Sequence, residues 1–274
     1  MAHAPYEHIT STSNTSIKLL RGLDRKKNRT ESGLFLAEGA RLILDALKFG
    51  WKPRYILVGE DSVDRKEVQS ILEQAEMAGA RILTTGPRIL TAVSRKENSQ
   101  TIIAAFQQKL DRLEDFSSSG KSRYIALYQV RDPGNLGTIL RTADAAGVKG
   151  VVLVGQCCDP FSVECVRATM GALFSTKIVS VSFEEFNEWR KKEHILMAAA
   201  SVNGTIRHDQ TDYSDKSVIL MGNEQSGIPD DVEACCDTLI KIPMAGAADS
   251  LNLAQATAIM TYEVWKGSGY DGAK

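Results

Sequence analysis

The chain has 274 residues and a net charge of −1, and its hydrophobic fraction of 43% and charged fraction of 24% are those of an ordinary soluble globular protein. No apolar run approaches the ~18 residues of a membrane span, and residues 1–13 lack the cationic start and apolar core of a signal peptide. We therefore expect a cytoplasmic protein with two domains of roughly 100 to 150 residues each.

Helical and strand patterns alternate in the N-terminal third. Helices are predicted over residues 16–28 and 41–48 and over a segment with the apolar face Val68, Ile71, Leu72 and Ala75. Strands are predicted over residues 34–37, 55–58, 82–83 and 101–106. This alternation predicts an α/β sandwich over residues 14–108. Serines, a glycine and charged residues at 109–122 then predict a flexible linker, with the domain boundary near residues 117–121.

Basic residues are concentrated in the first domain. Residues 1–108 carry a net charge of +4, whereas residues 109–274 carry −5. A basic stripe interrupted only by Asp24 comprises Lys18, Arg21, Arg25, Lys26, Lys27 and Arg29. Such a stripe can neutralise RNA phosphates, so its last four members are candidate RNA ligands. A solvated helix face explains the charge pattern equally well.

Three polar turns in the C-terminal half each follow a short apolar run. The runs are YIALYQV, VILMG and LIKIP, and the turns lie at residues 129–147, 221–227 and 242–256. Such runs predict buried strands of a parallel sheet, and ligands of open α/β sheets bind beyond the carboxyl ends of the strands. The turns therefore predict one assembled pocket. Helical spacing follows the first turn (Ile139, Leu140, Ala143, Ala146, Val148) and the third (Leu253, Ala256, Ile259, Met260, Val264).

Two common classes of α/β enzyme lack support. Neither the GxGxxG dinucleotide fingerprint nor a Walker loop occurs in the chain. The cysteines are odd in number and form two adjacent pairs, which suits neither a disulfide framework nor CxxC zinc ligation. We therefore expect free thiols and no metal. The five cysteines are Cys157, Cys158, Cys165, Cys235 and Cys236.

The segments DPGNLGTILRTADAAG, GNEQSGIP and IPMAGAADSLNLAQA resemble, in order and spacing, the three motifs of the SpoU (TrmH-like) RNA 2'-O-ribose methyltransferases of the SPOUT class. The resemblance is strong over residues 123–266. It implies a C-terminal, trefoil-knotted α/β methyltransferase domain over residues 123–274 that uses S-adenosylmethionine. The segment NRTESGLFLAEGARLILDAL is similar to the L30e-like substrate-binding domain that precedes many of these enzymes.

The resemblance also implies the catalytic residues. The family's essential arginine corresponds to Arg141, with Asn135 as its neighbour, and Glu224 lines the catalytic cleft. Because the pKa of arginine lies above ~12, we expect Arg141 to hold a substrate phosphate and stabilise the nascent alkoxide. The proton then passes to a phosphate oxygen, Glu224 or water. Ser250 either orients the substrate or caps the following helix, and Asn252 assists Arg141.

The cofactor site is likewise implied by the family. Backbone atoms at Gly222 contact the cofactor, and Ile242, Met244 and Leu251 supply an apolar slot for its adenine. The segment at 161–178 resembles a family region near substrate and dimer contacts, where Arg167 is a candidate RNA ligand or a surface arginine that faces a partner. Relatives have Pro-Lys where this chain has Val163 and Glu164, which weakens a phosphate contact there.

These resemblances predict 2'-O-methylation of RNA by a homodimer that pairs through the C-terminal domain, with the strip MGALF offered for contact. The two-domain layout favours 23S ribosomal RNA as the substrate. Three alternatives stay open: a tRNA 2'-O-methyltransferase, a non-catalytic RNA-binding module and a transferase that methylates a base. Asn135, Arg141, Glu224 and Asn252 argue against the silent module, and no catalytic cysteine motif suited to base methylation is visible.

Overall fold

The strands of the computed structural model, which describes residues 6–94, 100–116, 120–213 and 215–274, form one sheet of five strands and one of seven. The chain divides into two compact units. Unit 1 comprises Met1–Lys109 together with the later segment Asp159–Phe174, and unit 2 comprises Leu110–Cys158 and Ser175–Lys274.

Strands and helices alternate along most of the described chain. The strands are β1 Glu7–Ile9, β2 Leu34–Glu38, β3 Pro53–Gly59, β4 Arg81–Thr85, β5 Ile102–Gln107, β6 Ser122–Tyr128, β7 Gly150–Val154, β8 Ile178–Val181, β9 Leu196–Ala200, β10 Ile206–Arg207, β11 Lys216–Met221 and β12 Thr238–Lys241. The helices are α1 Thr15–Gly22, α2 Lys26–Ser32, α3 Ala40–Lys48, α4 Lys66–Met77, α5 Pro87–Ser94, α6 Pro133–Ala145, α7 Val163–Ala168, α8 Ala172–Ser175, α9 Phe183–Lys192, α10 Asp230–Glu233 and α11 Leu253–Gly267. None of the helices in the described part of the chain has the length and hydropathy of a membrane span.

The sheet of unit 1 has the strand order β1-β4-β3-β5-β2. Strand β5 is antiparallel to both neighbours, with Phe106 opposite Phe35 and Ile103 opposite Leu57, and the other pairs are parallel. Helix α4 is the helix predicted with the apolar face Val68, Ile71, Leu72 and Ala75, and all four side chains are buried. The predicted mixed α/β pattern of this region is therefore confirmed.

The helix predicted over residues 16–28 is in fact two helices. Helix α1 ends at Gly22 and α2 begins at Lys26. The Asn28 amide donates to the Gly22 carbonyl (2.8 Å), and the Arg29 guanidinium donates to the carbonyls of residues 23 and 24 (2.9 and 2.7 Å). Side chains thus satisfy the carbonyl groups that a continuous helix would pair with backbone N–H groups, and the helix is interrupted.

The segment Asp159–Phe174 belongs to unit 1, although the sequence predicts that it lies within a single domain over residues 123–274. Its phenylalanines join an aromatic cluster: Phe161 lies 4.9 Å from Phe35 and Phe174 lies 5.4 Å from Trp51, between ring centroids. The Trp51 indole also donates to the Phe174 carbonyl (3.0 Å). Contacts between residues more than 100 positions apart leave no local pattern, so the sequence did not reveal this insertion.

The sheet of unit 2 has the order β10-β12-β9-β11-β6-β7-β8, and every pair in it is parallel. The three predicted buried strands are β6, β11 and β12. Strands β6 and β11 are neighbours, with Leu127 opposite Met221 at their carboxyl ends. The turns after these two strands therefore leave the sheet side by side, as predicted, while β12 is separated from β11 by β9.

Two helices follow the first and third turns and pack against each other. Helix α6 begins at Pro133, and the Asp132 side chain caps it by accepting from the Asn135 N–H (2.6 Å). In α11 the predicted apolar positions are buried except for Ala256, which is partly buried, and Ile259, which is 38% exposed. The helical spacing predicted for these residues is confirmed, but Thr257 and Thr261, rather than Ile259, complete the buried face.

The predicted linker is partly a packed segment. Leu113 and Phe116 are buried in unit 2, where the Phe116 ring stacks on Tyr124 with centroids 5.7 Å apart. Unit 2 accordingly begins at Leu110, earlier than the boundary expected near residues 117–121. Residues 117–119 of that boundary lie outside the described residues.

Candidate functional site

A polar cleft of about 790 Å³ opens at the carboxyl ends of β6 and β11 in unit 2. The first and second turns line it, through Gln129, Arg131, Asp132, Pro133, Asn135, Asn223, Glu224, Gln225 and Ser226. Its position follows from the topology, because parallel strands deliver their following turns to the same edge of the sheet.

Glu224 is the centre of a hydrogen-bond network in this cleft. Its Oε2 accepts from the Arg131 N–H (3.1 Å), while its Oε1 accepts from the Asp132 N–H (3.1 Å) and from Nδ2 of Asn135 (3.3 Å). Burial opposes ionisation of this carboxyl group, but hydrogen bonds from backbone N–H groups and from the Asn135 amide outweigh it. The pKa of Glu224 therefore lies below its ordinary value, which makes the carboxylate a weak base and a good anchor.

Asn252 extends the network to the third turn. Its Nδ2 donates to Oδ1 of Asn135 (2.9 Å), and its Oδ1 caps α11 by accepting from the N–H groups of Ala254 (2.9 Å) and Gln255 (3.4 Å). Glu224, Asn135 and Asn252, one residue from each turn, thus form a continuous hydrogen-bonded chain. The structure brings these three predicted residues together.

Asn223 shapes the second turn and was missed by sequence reasoning. Its Oδ1 accepts from the N–H groups of Gln225 (2.9 Å) and Ser226 (3.1 Å), and its Nδ2 donates to the Gln129 carbonyl (2.7 Å). At Gly222, a Cβ atom would approach the Gly227 carbonyl carbon to 2.5 Å, so only glycine fits. The only sequence signal for Asn223 was its place directly before Glu224, in a short run of residues typical of tight turns.

Arg141 lies apart from this network. It is exposed on α6, six residues or about 9 Å beyond Asn135 along the helix axis, and it does not line the cleft. Within the described chain its side chain makes no hydrogen bond or ion pair. Its catalytic role stays a prediction, as does substrate orientation by the exposed Ser250. The alternative that Ser250 caps the following helix is wrong, because Asn252 is the cap.

The predicted adenine slot follows β12. Ile242 and Leu251 are partly buried and Met244 is 40% exposed, and none of the three lines the 790 Å³ cleft. Partly exposed apolar side chains of this kind fit a flat heterocycle, which needs apolar contact on its faces. Cofactor binding at these residues and at Gly222 remains a prediction.

Two predicted RNA ligands are instead ion-paired inside unit 1. Arg29 is 3% exposed, and its Nε and Nη2 donate to Oδ2 of Asp159 (2.9 and 2.7 Å). Its remaining donors serve the two carbonyl groups between α1 and α2, so the assignment of Arg29 to RNA is wrong. Arg167 places one nitrogen 2.7 Å from both oxygens of the nearly buried Glu38, and it serves as the counterion of that carboxylate.

Arg25, Lys26 and Lys27 are exposed, so their assignment to RNA stays a prediction. The apolar strip MGALF, by contrast, does not offer the expected contact surface. Ala172, Leu173 and Phe174 are buried within unit 1, and of the strip's side chains only Met170 is exposed.

The five cysteines are free thiols. Two of them lie near the cleft, where Cys157 donates to the Leu127 carbonyl (3.2 Å). Burial raises the pKa of Cys157 and raises that of Cys158 to about 12. Both groups are therefore protonated at neutral pH and unsuited to act as nucleophiles.

A parallel sheet with a polar cleft beyond the carboxyl ends of its strands is the arrangement in which α/β enzymes bind their ligands. Residues 122–262 match the SpoU rRNA methylase family, and residues 14–104 match the MRM3-like substrate binding domain. The chain belongs to the SpoU rRNA methylase family.

Solved and curated relatives cover almost the whole chain. An AdoMet-bound rRNA methyltransferase from Sinorhizobium meliloti has 38% identity and a TM-score of 0.89, covering 95% of this chain and 98% of its own. The SpoU methyltransferase AviRb from Streptomyces viridochromogenes, in complex with AdoMet, has 26% identity and a TM-score of 0.84, with coverages of 95% and 100%. The 23S rRNA (guanosine(2553)-2'-O)-methyltransferase of Bacillus subtilis is 29% identical, with coverages of 94% and 99%.

Proposed function

We propose that the chain transfers the methyl group of S-adenosylmethionine to the 2'-hydroxyl group of a ribose in 23S ribosomal RNA. The observation that carries this proposal is the hydrogen-bonded chain of Glu224, Asn135 and Asn252, which joins the two turns that line the cleft to the third turn of unit 2. Two of the relatives described above, from Sinorhizobium meliloti and Bacillus subtilis, support the substrate class, since they are methyltransferases of ribosomal RNA. A ribosomal substrate places the reaction in the cytoplasm.

Bound S-adenosylmethionine supplies an electrophilic methyl group on a positively charged sulfur. In the proposed reaction the carbon–sulfur bond breaks, a carbon–oxygen bond to the ribose forms, and the hydroxyl proton leaves to water or to a phosphate oxygen. Arg141 holds a substrate phosphate and stabilises the negative charge that develops on the ribose oxygen. Glu224 acts as a positioning residue, because its lowered pKa and its hydrogen bonds leave it a weak proton acceptor.

The network positions the reactants rather than reacting itself. Glu224 fixes the backbone of the first turn, and Asn252 fixes the Asn135 amide relative to α11. Alignment of a nucleophile with its target supplies a large share of the catalytic effect in transfer reactions. Backbone atoms at Gly222 and the side chains of Ile242, Met244 and Leu251 are proposed to hold the cofactor, and Ser250 is proposed to orient the ribose.

We further propose the finer features that the family implies. These are an L30e-like fold for the N-terminal domain, a trefoil knot in the methyltransferase domain and a homodimer that forms through it. Exposed apolar side chains of unit 2 support a dimer surface there: Ile259 and Tyr262 lie three residues apart on α11, one helical turn. A stable interface buries on the order of 1,200 Å² or more. RNA affinity is assigned in part to Arg25, Lys26 and Lys27.

The test uses the full-length chain, S-adenosylmethionine and 23S ribosomal RNA purified from a strain whose gene is deleted. Nucleoside mass spectrometry is expected to show one new 2'-O-methylated nucleoside, and primer-extension mapping then places it. Transfer RNA from the same strain serves as the competing substrate. Methylation of tRNA alone would favour the alternative substrate, a methylated base would favour the base-modifying alternative, and RNA binding without transfer would favour the silent module.

A further inference from the structure

Acidic residues outnumber basic ones among the described residues that line the cleft of unit 2. Among the described residues that line it, Asp132 and Glu224 are acidic and Arg131 is basic. RNA carries a negative charge on every phosphate, so a strand that enters this cleft approaches two carboxylates. A cation at the cleft must offset that repulsion if the ribose is to reach the network.

Both carboxylates already have hydrogen-bond partners. Asp132 caps α6 through the Asn135 N–H, and Glu224 accepts from two backbone N–H groups and the Asn135 amide. The Arg131 side chain differs, because it is exposed and makes no hydrogen bond or ion pair within residues 6–94, 100–116, 120–213 and 215–274. Its backbone is nonetheless fixed, since its N–H donates to Oε2 of Glu224 (3.1 Å).

The backbone of Arg131 is therefore fixed by a hydrogen bond, whereas its guanidinium has no partner among the described residues and lies at the edge of the network. We propose that Arg131 binds a backbone phosphate of the RNA strand beside the ribose that is methylated. A guanidinium presents a planar pair of donors that matches a phosphate, and its charge offsets the two carboxylates of the cleft. This inference rests on the proposed function, and it assigns Arg131 to RNA positioning rather than to the reacting oxygen.

The experiment compares full-length wild type with Arg131→Gln and Arg131→Lys. Lys149→Gln is the matched control, because Lys149 is an exposed basic residue of unit 2 that does not line the cleft. Filter binding to 23S ribosomal RNA from the deletion strain is measured over a series of salt concentrations, together with kcat and KM for methyl transfer. Circular dichroism checks that each variant is folded.

For Arg131→Gln we expect Kd to rise roughly tenfold, because a charge-assisted hydrogen-bond contact is lost. The slope of log K against log salt falls by about 0.7 to 0.9, the contribution of one phosphate. Most of the loss in kcat/KM lies in KM, Arg131→Lys restores part of it, and Lys149→Gln behaves as wild type.

An unchanged Kd and salt slope for Arg131→Gln would overturn the inference, as would a loss confined to kcat. Failure of the proposed function gives a different result: wild type then binds RNA without transferring a methyl group. In that case the salt slopes still decide whether Arg131 contacts a phosphate.

Discussion

Arginine side chains meet opposite environments in the two units. In unit 1, the Arg29 side chain is 4% exposed and every nitrogen of its guanidinium is hydrogen-bonded, two of them to Asp159. In unit 2, Arg131 just before α6 and Arg141 on α6 are exposed and have no partner within the described chain. The difference is made by an acid that the fold brings from far away, so charge used for folding and charge left for a ligand look alike in sequence.

The comparison predicts that Arg29→Ala destabilises the protein by about 3 to 5 kcal/mol, since it leaves the mostly buried Asp159 carboxylate without its counterion. Urea denaturation measures the change. Arg25→Ala is the matched control, because Arg25 is exposed four residues earlier, and its effect should stay within about 0.5 kcal/mol. Equal stability of the two variants would mean that the buried ion pair contributes nothing to unit 1.

The converse prediction concerns Arg141→Ala, which should leave stability unchanged and slow methyl transfer about a hundred- to a thousandfold, equivalent to roughly 3 to 4 kcal/mol. Affinity for S-adenosylmethionine should stay within a few-fold. Single-turnover rates at saturating cofactor and RNA measure the effect. Partial rescue by Arg141→Lys would favour charge stabilisation and no rescue would favour bidentate phosphate positioning, whereas a near-normal rate for Arg141→Ala would show that the residue is not catalytic.

Glu224→Gln tests whether the network positions the reactants. An amide nitrogen in place of one carboxylate oxygen opposes a backbone N–H, so we expect methyl transfer to fall on the order of tenfold. The pKa of Glu224 is lowered in the folded chain, so the stability that its ionised carboxylate contributes is complete above the unfolded pKa of about 4.3. That stability is lost only as the pH falls through the folded pKa. The ratio of wild-type to variant rates should therefore be constant between about pH 6 and 8. A ratio that titrates in this range would make Glu224 a proton acceptor.

The smallest effect is expected for a strained residue of the cleft. Gln129 has a φ of 51°, which is a left-handed backbone conformation. Two hydrogen bonds hold it: the Gln129 N–H donates to the Val154 carbonyl, and the Asn223 amide donates to the Gln129 carbonyl. Gln129→Gly should stabilise the fold by about 1 kcal/mol and yet reduce methyl transfer a few-fold. His194→Gly is the control, because His194 also has a positive φ (55°) but does not line the cleft. This substitution should stabilise the fold without changing methyl transfer. Thermal melts and initial rates measure both; equal activity would make the strain at Gln129 incidental.

Local features of both units were predictable from sequence. The apolar periodicity of α4 and the three apolar runs before polar turns placed the elements correctly, because side-chain burial repeats with the period of each element. The resemblance brought Asn135, Glu224 and Asn252 to one site, and their hydrogen bonds agree with that assembly.

The remaining features depend on partners distant in sequence. Asp159, which pairs with Arg29, lies 130 residues away, and the break between α1 and α2 depends on the same guanidinium. The charge pattern of the sequence shows neither the acid that pairs with this guanidinium nor the break between the two helices. Likewise, the sequence of the strip MGALF is compatible with a surface patch. Its burial follows only from the contacts that Phe174 makes with Trp51 and Phe35 in the folded chain.

The insertion of Asp159–Phe174 into unit 1 sets the order in which this protein can fold during synthesis. The aromatic cluster around Phe35 and Trp51 stays incomplete until the ribosome has made Phe161 and Phe174, by which time the residues of β6, α6 and β7 have already been synthesised. Closing a loop of that length carries an entropic cost and slows assembly. The N-terminal unit, made first, therefore finishes folding only after the opening stretch of the methyltransferase unit has been made.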